Sequence, residues 1–207
     1  QRRMRVWRPQ RAFVMGVGQI GLLTALILRL RGIEVYSFAR SKPGTLNSQI
    51  VKGIEAHYVS TAETPIAEVV KQVGKADLIV DATGSSKVAF DAMRALGHNG
   101  VLVWTSITGA NLQHEVPSDK INIDWVLGNK LLLGSVNANR EHFEMGIRDL
   151  ALGEVGAGED HLVDGLGRLA CAGRAEVGDR PADGREVVVA SQRRVHVSPP
   201  MRKVASR

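Results

Sequence analysis

The strongest constraint on this chain is a run of six residues, Gly16-Val17-Gly18-Gln19-Ile20-Gly21, set between two apolar segments. Before it stands the short apolar run 11–15 (RAFVM), which reads as a buried strand. After it, 19–31 is apolar nearly all round, as in a helix covered by other layers, and Gly32 ends it. A G-x-G-x-x-G run is common in itself. This one closes a strand and opens a helix within a unit of about 30 residues, the setting in which such a run holds phosphates. Gly16 permits the tight turn, Gly18 removes a side chain where a pyrophosphate approaches, and Gly21 lets helix and strand pack closely. The helix start offers free N–H groups and a positive dipole end to the phosphates.

The alternation continues. Strands are expected at 34–39, 56–60, 77–82, 100–106 and 130–136. Short helices are expected at 48–54 and from Thr64-Pro65 to about Gln72, with the Thr64 hydroxyl as cap. A helix over 87–96 presents Val88, Ala92 and Leu96 on one face and stops at Gly97; 124–127 reads as a single helical turn. A last helix over 139–152 turns Phe143, Ile147 and Leu150 inward, with Asn139 as its cap. Strands separated by helices imply right-handed crossovers, and near-continuous apolar strands imply a sheet covered on both faces. The class is α/β: a doubly wound, parallel, six-stranded sheet, the Rossmann fold, in the order 3-2-1-4-5-6.

All nine aromatic residues lie between Trp7 and Phe143, and the last 64 residues have none. A segment without aromatics has few large groups to bury against its ordering entropy. The expected division is a basic arm 1–10, a dinucleotide-binding domain 11–153 and an irregular tail 154–207, with local strands near 186–190 and 194–197. The net charge of +6 sits in the arm: residues 1–12 hold five arginines and no acid, while 13–153 hold 13 bases and 13 acids. A neutral body without a basic face argues against nucleic acid as the partner. The longest apolar stretch, 20–28, is too short to span a bilayer, and the first ten residues lack the apolar segment of an export signal. The single cysteine, Cys171, excludes an internal disulfide framework, and with the neutral body points to the cytoplasm. The six histidines are dispersed and no pair has metal-ligand spacing, so no metal ligand and no catalytic residue is assigned.

The end of the second strand reads Ser37-Phe38-Ala39-Arg40-Ser41-Lys42. An acid there would bond the ribose 2′-hydroxyl and repel a 2′-phosphate. Ala39 removes that repulsion, Arg40 can pair with phosphate, and Ser41 and Lys42 can add to it, which implies NADP, with NAD the alternative. After the fourth strand, DATGSS (81–86) brings small residues to the cofactor and a Thr83 hydroxyl able to donate. After the fifth, TSITG (105–109) offers backbone groups to a nicotinamide amide. After the sixth comes GSVNANREHFE (134–144), with Asn137 left free for ligand.

At these residues a resemblance is clear. Residues 12–153 resemble the cofactor domain of the zinc-dependent medium-chain dehydrogenases. Within these, GSVNANREHFE, DLIVDATG and GLLTALILRLRGIEVY resemble the glucose 1-dehydrogenases of archaea and some bacteria. The resemblance implies oxidation of an aldose at C1 to a lactone, with hydride passing to NAD(P)+. It implies that Gly18, Gln19, Ile20 and Gly21 hold the pyrophosphate and that Ala39, Arg40 and Ser41 surround the adenosine ribose. It sets Ser106, Ile107 and Thr108 beside the nicotinamide, and Ser135, Val136 and Asn137 at the cofactor, Asn137 also touching sugar. The family carries its zinc on a separate preceding domain; ten residues precede Arg11 here, so the chain is expected to be a fragment, inactive alone. The family's habit of pairing edge strands implies a homo-oligomer through 131–136. The alternatives are a non-catalytic dinucleotide-binding module and the cofactor domain of another zinc-dependent alcohol or polyol dehydrogenase.

Overall fold

A computed structural model of the chain describes residues 7–109 and 113–156. At its centre is β1 (Arg11–Met15), in which Ala12, Phe13, Val14 and Met15 each expose 0% of their surface. Apolar side chains alternate to both faces of this strand, so it is stable only with layers on both sides. The other strands are β2 (Glu34–Ala39), β3 (His57–Ser60), β4 (Ala76–Asp81), β5 (Leu96–Trp104) and β6 (Leu131–Gly134). All pairings are parallel, in the order β3-β2-β1-β4-β5-β6, as expected from the alternation. One row of the register runs Val59, Phe38, Met15, Asp81, Trp104, Gly134. The carboxyl ends of the strands therefore meet along one edge.

The helices are α1 (Gln19–Leu30), α2 (Leu46–Gly53), α3 (Ile66–Val73), α4 (Ser86–Ala95), α5 (Ser118–Leu127) and α6 (Arg140–Gly156). On one face of the sheet, Leu22 and Leu26 of α1 and Val51 of α2 pack on Val14 and Val35. On the other, Val69 of α3 and Ala92 and Met93 of α4 pack on Phe13, Phe38, Ile79 and Leu102. Phe13 meets Phe38 and Tyr36 edge-on, with ring centroids 5.1 and 5.7 Å apart.

Several expectations need correction. The Thr64 hydroxyl does not cap α3: the helix begins after Pro65, with no side-chain cap. Leu96 leaves α4 to open β5 opposite Ala76, fully buried, before the chain turns at Asn99 with φ +56°. α5 is a ten-residue helix rather than one turn. Its apolar residues lack a one-sided period, since Ile121 and Trp125 pack inward while Ile123, Val126 and Leu127 face out. β6 is shorter than expected, four residues, and α6 continues past 152 to Gly156. Phe143, Ile147 and Leu150 do not face inward; the first two are 65% and 66% exposed. The helix instead docks by its other side, where Asp149 pairs with Arg31 of the α1 C-cap at 2.7 Å. Arg11, the first residue of β1, is held by the fold: its Nε bonds Glu34 at 2.8 Å and its Nη1 donates to the Val73 carbonyl. Residues 1–6, the two tail strands and Cys171 lie outside the described residues.

α5 is tied to the sheet by charge. Lys130, its side chain wholly enclosed, donates to Asp124, and Lys75 approaches the same carboxylate at 3.7 Å. Burial alone would raise the Asp124 pKa, but the hydrogen bonds and charges of Lys130 and Lys75 outweigh it and hold the carboxyl below its ordinary value of 3.8. The Lys130 pKa is also lowered, because its lost hydration exceeds what Asp124 returns. The carboxylate gains from two ammonium groups; each ammonium shares one carboxylate. Stability from Asp124 is thus fully present above 3.8 and is lost as pH falls through the lowered value. Asp124→Asn leaves an enclosed ammonium without its counter-charge and should cost roughly 1–3 kcal/mol at neutral pH. The difference in melting temperature between the two proteins should shrink below about pH 4. A gap that stays constant down to pH 2 would contradict this account.

Candidate functional site

The strand order reverses between β1 and β4, and open α/β sheets leave a crevice at such a point. Gly16 turns the chain out of β1 with φ +98°, and its N–H donates to the Phe38 carbonyl at 2.8 Å. A Cβ on Gly16 would sit 2.9 Å from the Ala82 carbonyl oxygen, and one on Gly21 would overlap the Gly16 carbonyl oxygen. These two glycines are required by the fold. Gly18 is different: a Cβ there meets nothing within 4 Å. The space before it is open, and α1 begins there with no side-chain cap and no acid in its first turn. Unshielded N–H groups with a positive dipole end form a site for anionic oxygen.

From this turn a cleft of about 1450 Å³ runs along the carboxyl ends of the strands. That exceeds the usual ~300–1,000 Å³ of a single small-molecule site and has room for two linked nucleotides. Gly16, Gly18, Ala39, Arg40, Ser41, Thr83 and Thr108 line it. Gly21 is buried beneath the turn, while Gln19 and Ile20 are exposed at the start of α1. Ser106 lies beside the cleft and bonds into its wall, and Ile107 is 82% exposed. Ser135, Val136 and Asn137 lie beyond the lining, after β6 on the same sheet edge. Asn139 is the cap of α6, its Oδ1 accepting the His142 N–H at 2.9 Å.

Three residues that the sequence reading did not single out organise the walls. Asp81 is 2% exposed at the end of β4, and its Oδ1 accepts from the Thr83 N–H at 3.1 Å and the Thr83 hydroxyl at 2.7 Å. The Thr83 proton is therefore committed to Asp81 rather than held ready for a ligand. The Asp81 carbonyl takes the N–H and hydroxyl of Thr105, and Ser106 Oγ accepts the Gly84 N–H at 2.9 Å, lacing the β4 and β5 ends together. An aspartate before small residues is the signal of such a turn. Asn47, in the first turn of α2, donates to the Val17 carbonyl at 2.9 Å and ties the glycine turn to the loop after β2. Tyr58 of β3 holds that loop by its hydroxyl, which lies 2.7 Å from both Ser41 Oγ and the Ser41 carbonyl oxygen. No spacing in the sequence marks Asn47 or Tyr58.

Arg40 has no ion-pair partner among the described residues. Ala39, before it, places no negative charge at the strand end. Among the described residues no three His, Cys, Asp or Glu side chains gather as a metal centre needs, and no helix is long and apolar enough to cross a membrane.

The chain is similar to known proteins in both sequence and fold. The family described as the glucose dehydrogenase C-terminus matches residues 1–165. The glucose 1-dehydrogenase of Methanocella arvoryzae is 44% identical over 147 residues, 71% of this chain and 41% of that protein. Glucose 1-dehydrogenase 1 of Caldivirga maquilingensis is 40% identical over 147 residues, 70% and 40% of the two chains. The crystal structure of Haloferax mediterranei glucose dehydrogenase in complex with NADP, Zn and gluconolactone superposes with a TM-score of 0.67 at 33% identity. It covers 70% of this chain and 42% of that one. This chain spans about two-fifths of the length of the curated relatives it matches.

The two kinds of glycine should separate by measurement. Gly21→Ala drives a methyl into the Gly16 carbonyl and should lower the melting temperature by several degrees or prevent folding. Gly18→Ala should change stability by less than about 1 kcal/mol, since the position has space and extended backbone. Equal destabilisation by the two changes would show that Gly18, too, serves only the fold.

Proposed function

This chain belongs to the glucose dehydrogenase C-terminal family, and from that premise we propose that its described residues are the NADP(H)-binding half of an enzyme oxidising an aldose at C1 to the lactone. The observation that carries the cofactor assignment is the end of β2: Ala39 where an acid would exclude a 2′-phosphate, and Arg40 at the cleft wall without an ion-pair partner among the described residues. Gly18, Gln19 and Ile20 receive the pyrophosphate, over the turn that Gly16 and Gly21 make possible. Ala39, Arg40 and Ser41 surround the adenosine ribose and its phosphate. Thr83, Ser106, Ile107 and Thr108 border the nicotinamide, and Ser135, Val136 and Asn137 close that end, Asn137 reaching sugar.

When bound, the nicotinamide ring accepts the hydride that leaves C1 of the sugar, and the C1 hydroxyl proton departs separately. The role of these residues is to hold and orient: the helix start fixes the phosphates, and the wall laced through Asp81 keeps the β4 and β5 ends at a set distance from them. None of the described residues forms the group that polarises the sugar oxygen. Zinc would supply that as a Lewis acid, on ligands outside the described residues. The 207-residue chain alone is accordingly proposed to bind cofactor without oxidising glucose.

Among the described residues β6 is the last strand of the sheet, with one backbone edge unpaired and Leu131 and Leu133 at 40% and 50% exposure. We propose that a second copy covers this edge. Leu133→Lys should then shift the protein towards monomer in sedimentation velocity; an unmoved dimer, or a monomeric parent, would contradict it.

Calorimetric titration with NADP+ and NAD+ at one salt concentration tests the cofactor assignment. NADP+ should bind more tightly, and Arg40→Asp should weaken it about ten-fold or more, the worth of a charge-assisted bond to phosphate. NADP+ affinity indifferent to that change would refute the role of Arg40.

A further inference from the structure

Ser41 lines the cleft beside Arg40, and its hydroxyl is naturally read as a further donor to a 2′-phosphate. Its bonding with Tyr58 says otherwise. Tyr58 Oη lies 2.7 Å from the Ser41 carbonyl oxygen and 2.7 Å from Ser41 Oγ. A phenol has one proton, and a carbonyl oxygen can only accept. The phenol proton therefore goes to the carbonyl. The short approach of the two hydroxyls then needs the proton of Ser41, donated to Tyr58. What Ser41 Oγ turns to the cleft is lone pairs.

We propose that Tyr58, which does not itself line the cleft, sets the cofactor selectivity of this site by claiming the Ser41 proton. This rests on the dinucleotide reading above and deepens it. An acceptor at the end of β2 matches a ribose 2′-hydroxyl, which donates, and cannot match an ionised phosphate, which has no proton to give. The strand end thus carries two opposed elements: Arg40 favours the phosphorylated cofactor, and the Ser41–Tyr58 pair favours the unphosphorylated one. The site accepts both NADP(H) and NAD(H). For a 2′-phosphate to be bonded by Ser41, its bond to Tyr58 must break. The Tyr58 ring is half-buried against the cluster beneath α1 and α2, and Thr61 pins the Ala39 carbonyl with two bonds of 2.7 and 3.1 Å. The pair is therefore held and not free to turn away together.

The test is calorimetric titration of the full chain, parent, Ser41→Ala and Tyr58→Phe, with NADP+ and with NAD+. Tyr58→Phe releases the Ser41 proton, so the ratio of NADP+ to NAD+ affinity should rise roughly three- to ten-fold, the worth of one hydrogen bond. Ser41→Ala removes the acceptor for the 2′-hydroxyl and should raise the same ratio through weaker NAD+ binding. A lower ratio in Ser41→Ala would mean that Ser41 donates to the phosphate in the parent, and would overturn the proposal. Equal changes for both cofactors in both variants would also overturn it, leaving the pair a loop fastening or a contact to the shared 3′-hydroxyl. Absence of binding of either cofactor by the parent would instead sink the dinucleotide reading, and this inference with it. Ser41→Ala, at an exposed position, keeps the test open if Tyr58→Phe fails to fold.

Discussion

A single steric contact sets the scale of this structure: a methyl on residue 21 would overlap the Gly16 carbonyl oxygen. Because that methyl is missing, α1 lies directly on β1, and the turn between them has one available path. The helix start is then delivered to the carboxyl end of the central strand. α1 seats Leu22, Ala25 and Leu26 on the sheet, β2 falls into register alongside, and Gly16 can reach the Phe38 carbonyl. The apolar core and the anion-accepting helix start are consequences of the same close approach.

A second device acts on the other half of the cleft. β4 ends in a buried carboxylate, an arrangement that costs desolvation unless hydrogen bonds replace the lost water. Asp81 obtains them from Thr83 in its own turn, and its carbonyl binds Thr105 across to β5. The glycine turn, the loop after β2 and the β4–β5 wall are thus each fixed by bonds that do not involve a ligand. A cleft whose walls are set beforehand leaves less ordering cost for the binding step.

Charge is arranged with the same separation. The formal excess of the chain lies in its first residues, yet Arg11 is consumed by the fold, paired with Glu34 and the end of α3. Arg40, outside that excess, stands at the cleft with no ion-pair partner among the described residues. Net charge therefore says little about this protein's ligand; the position of one guanidinium says more.

The strand order, the boundaries of β1 and β2 and the glycine turn were legible in the sequence, because buried parallel strands are apolar without interruption and glycine is needed at fixed offsets. α5 and the outward face of α6 were not: their apolar residues point in several directions, and only packing decides which are covered. The identity of Ala39 and Arg40 could be read, since the absence of an acid is a property of one position. The states of Thr83 and Ser41 could not. A hydroxyl can donate or accept, and which it does depends on Asp81 in one case and on Tyr58, 17 residues away, in the other. Local chemistry and periodicity thus determined the fold and the strand ends along which the cleft runs. Only the tertiary structure decided the direction of its hydrogen bonds, because a proton shared among groups brought together by folding is assigned by all of them at once.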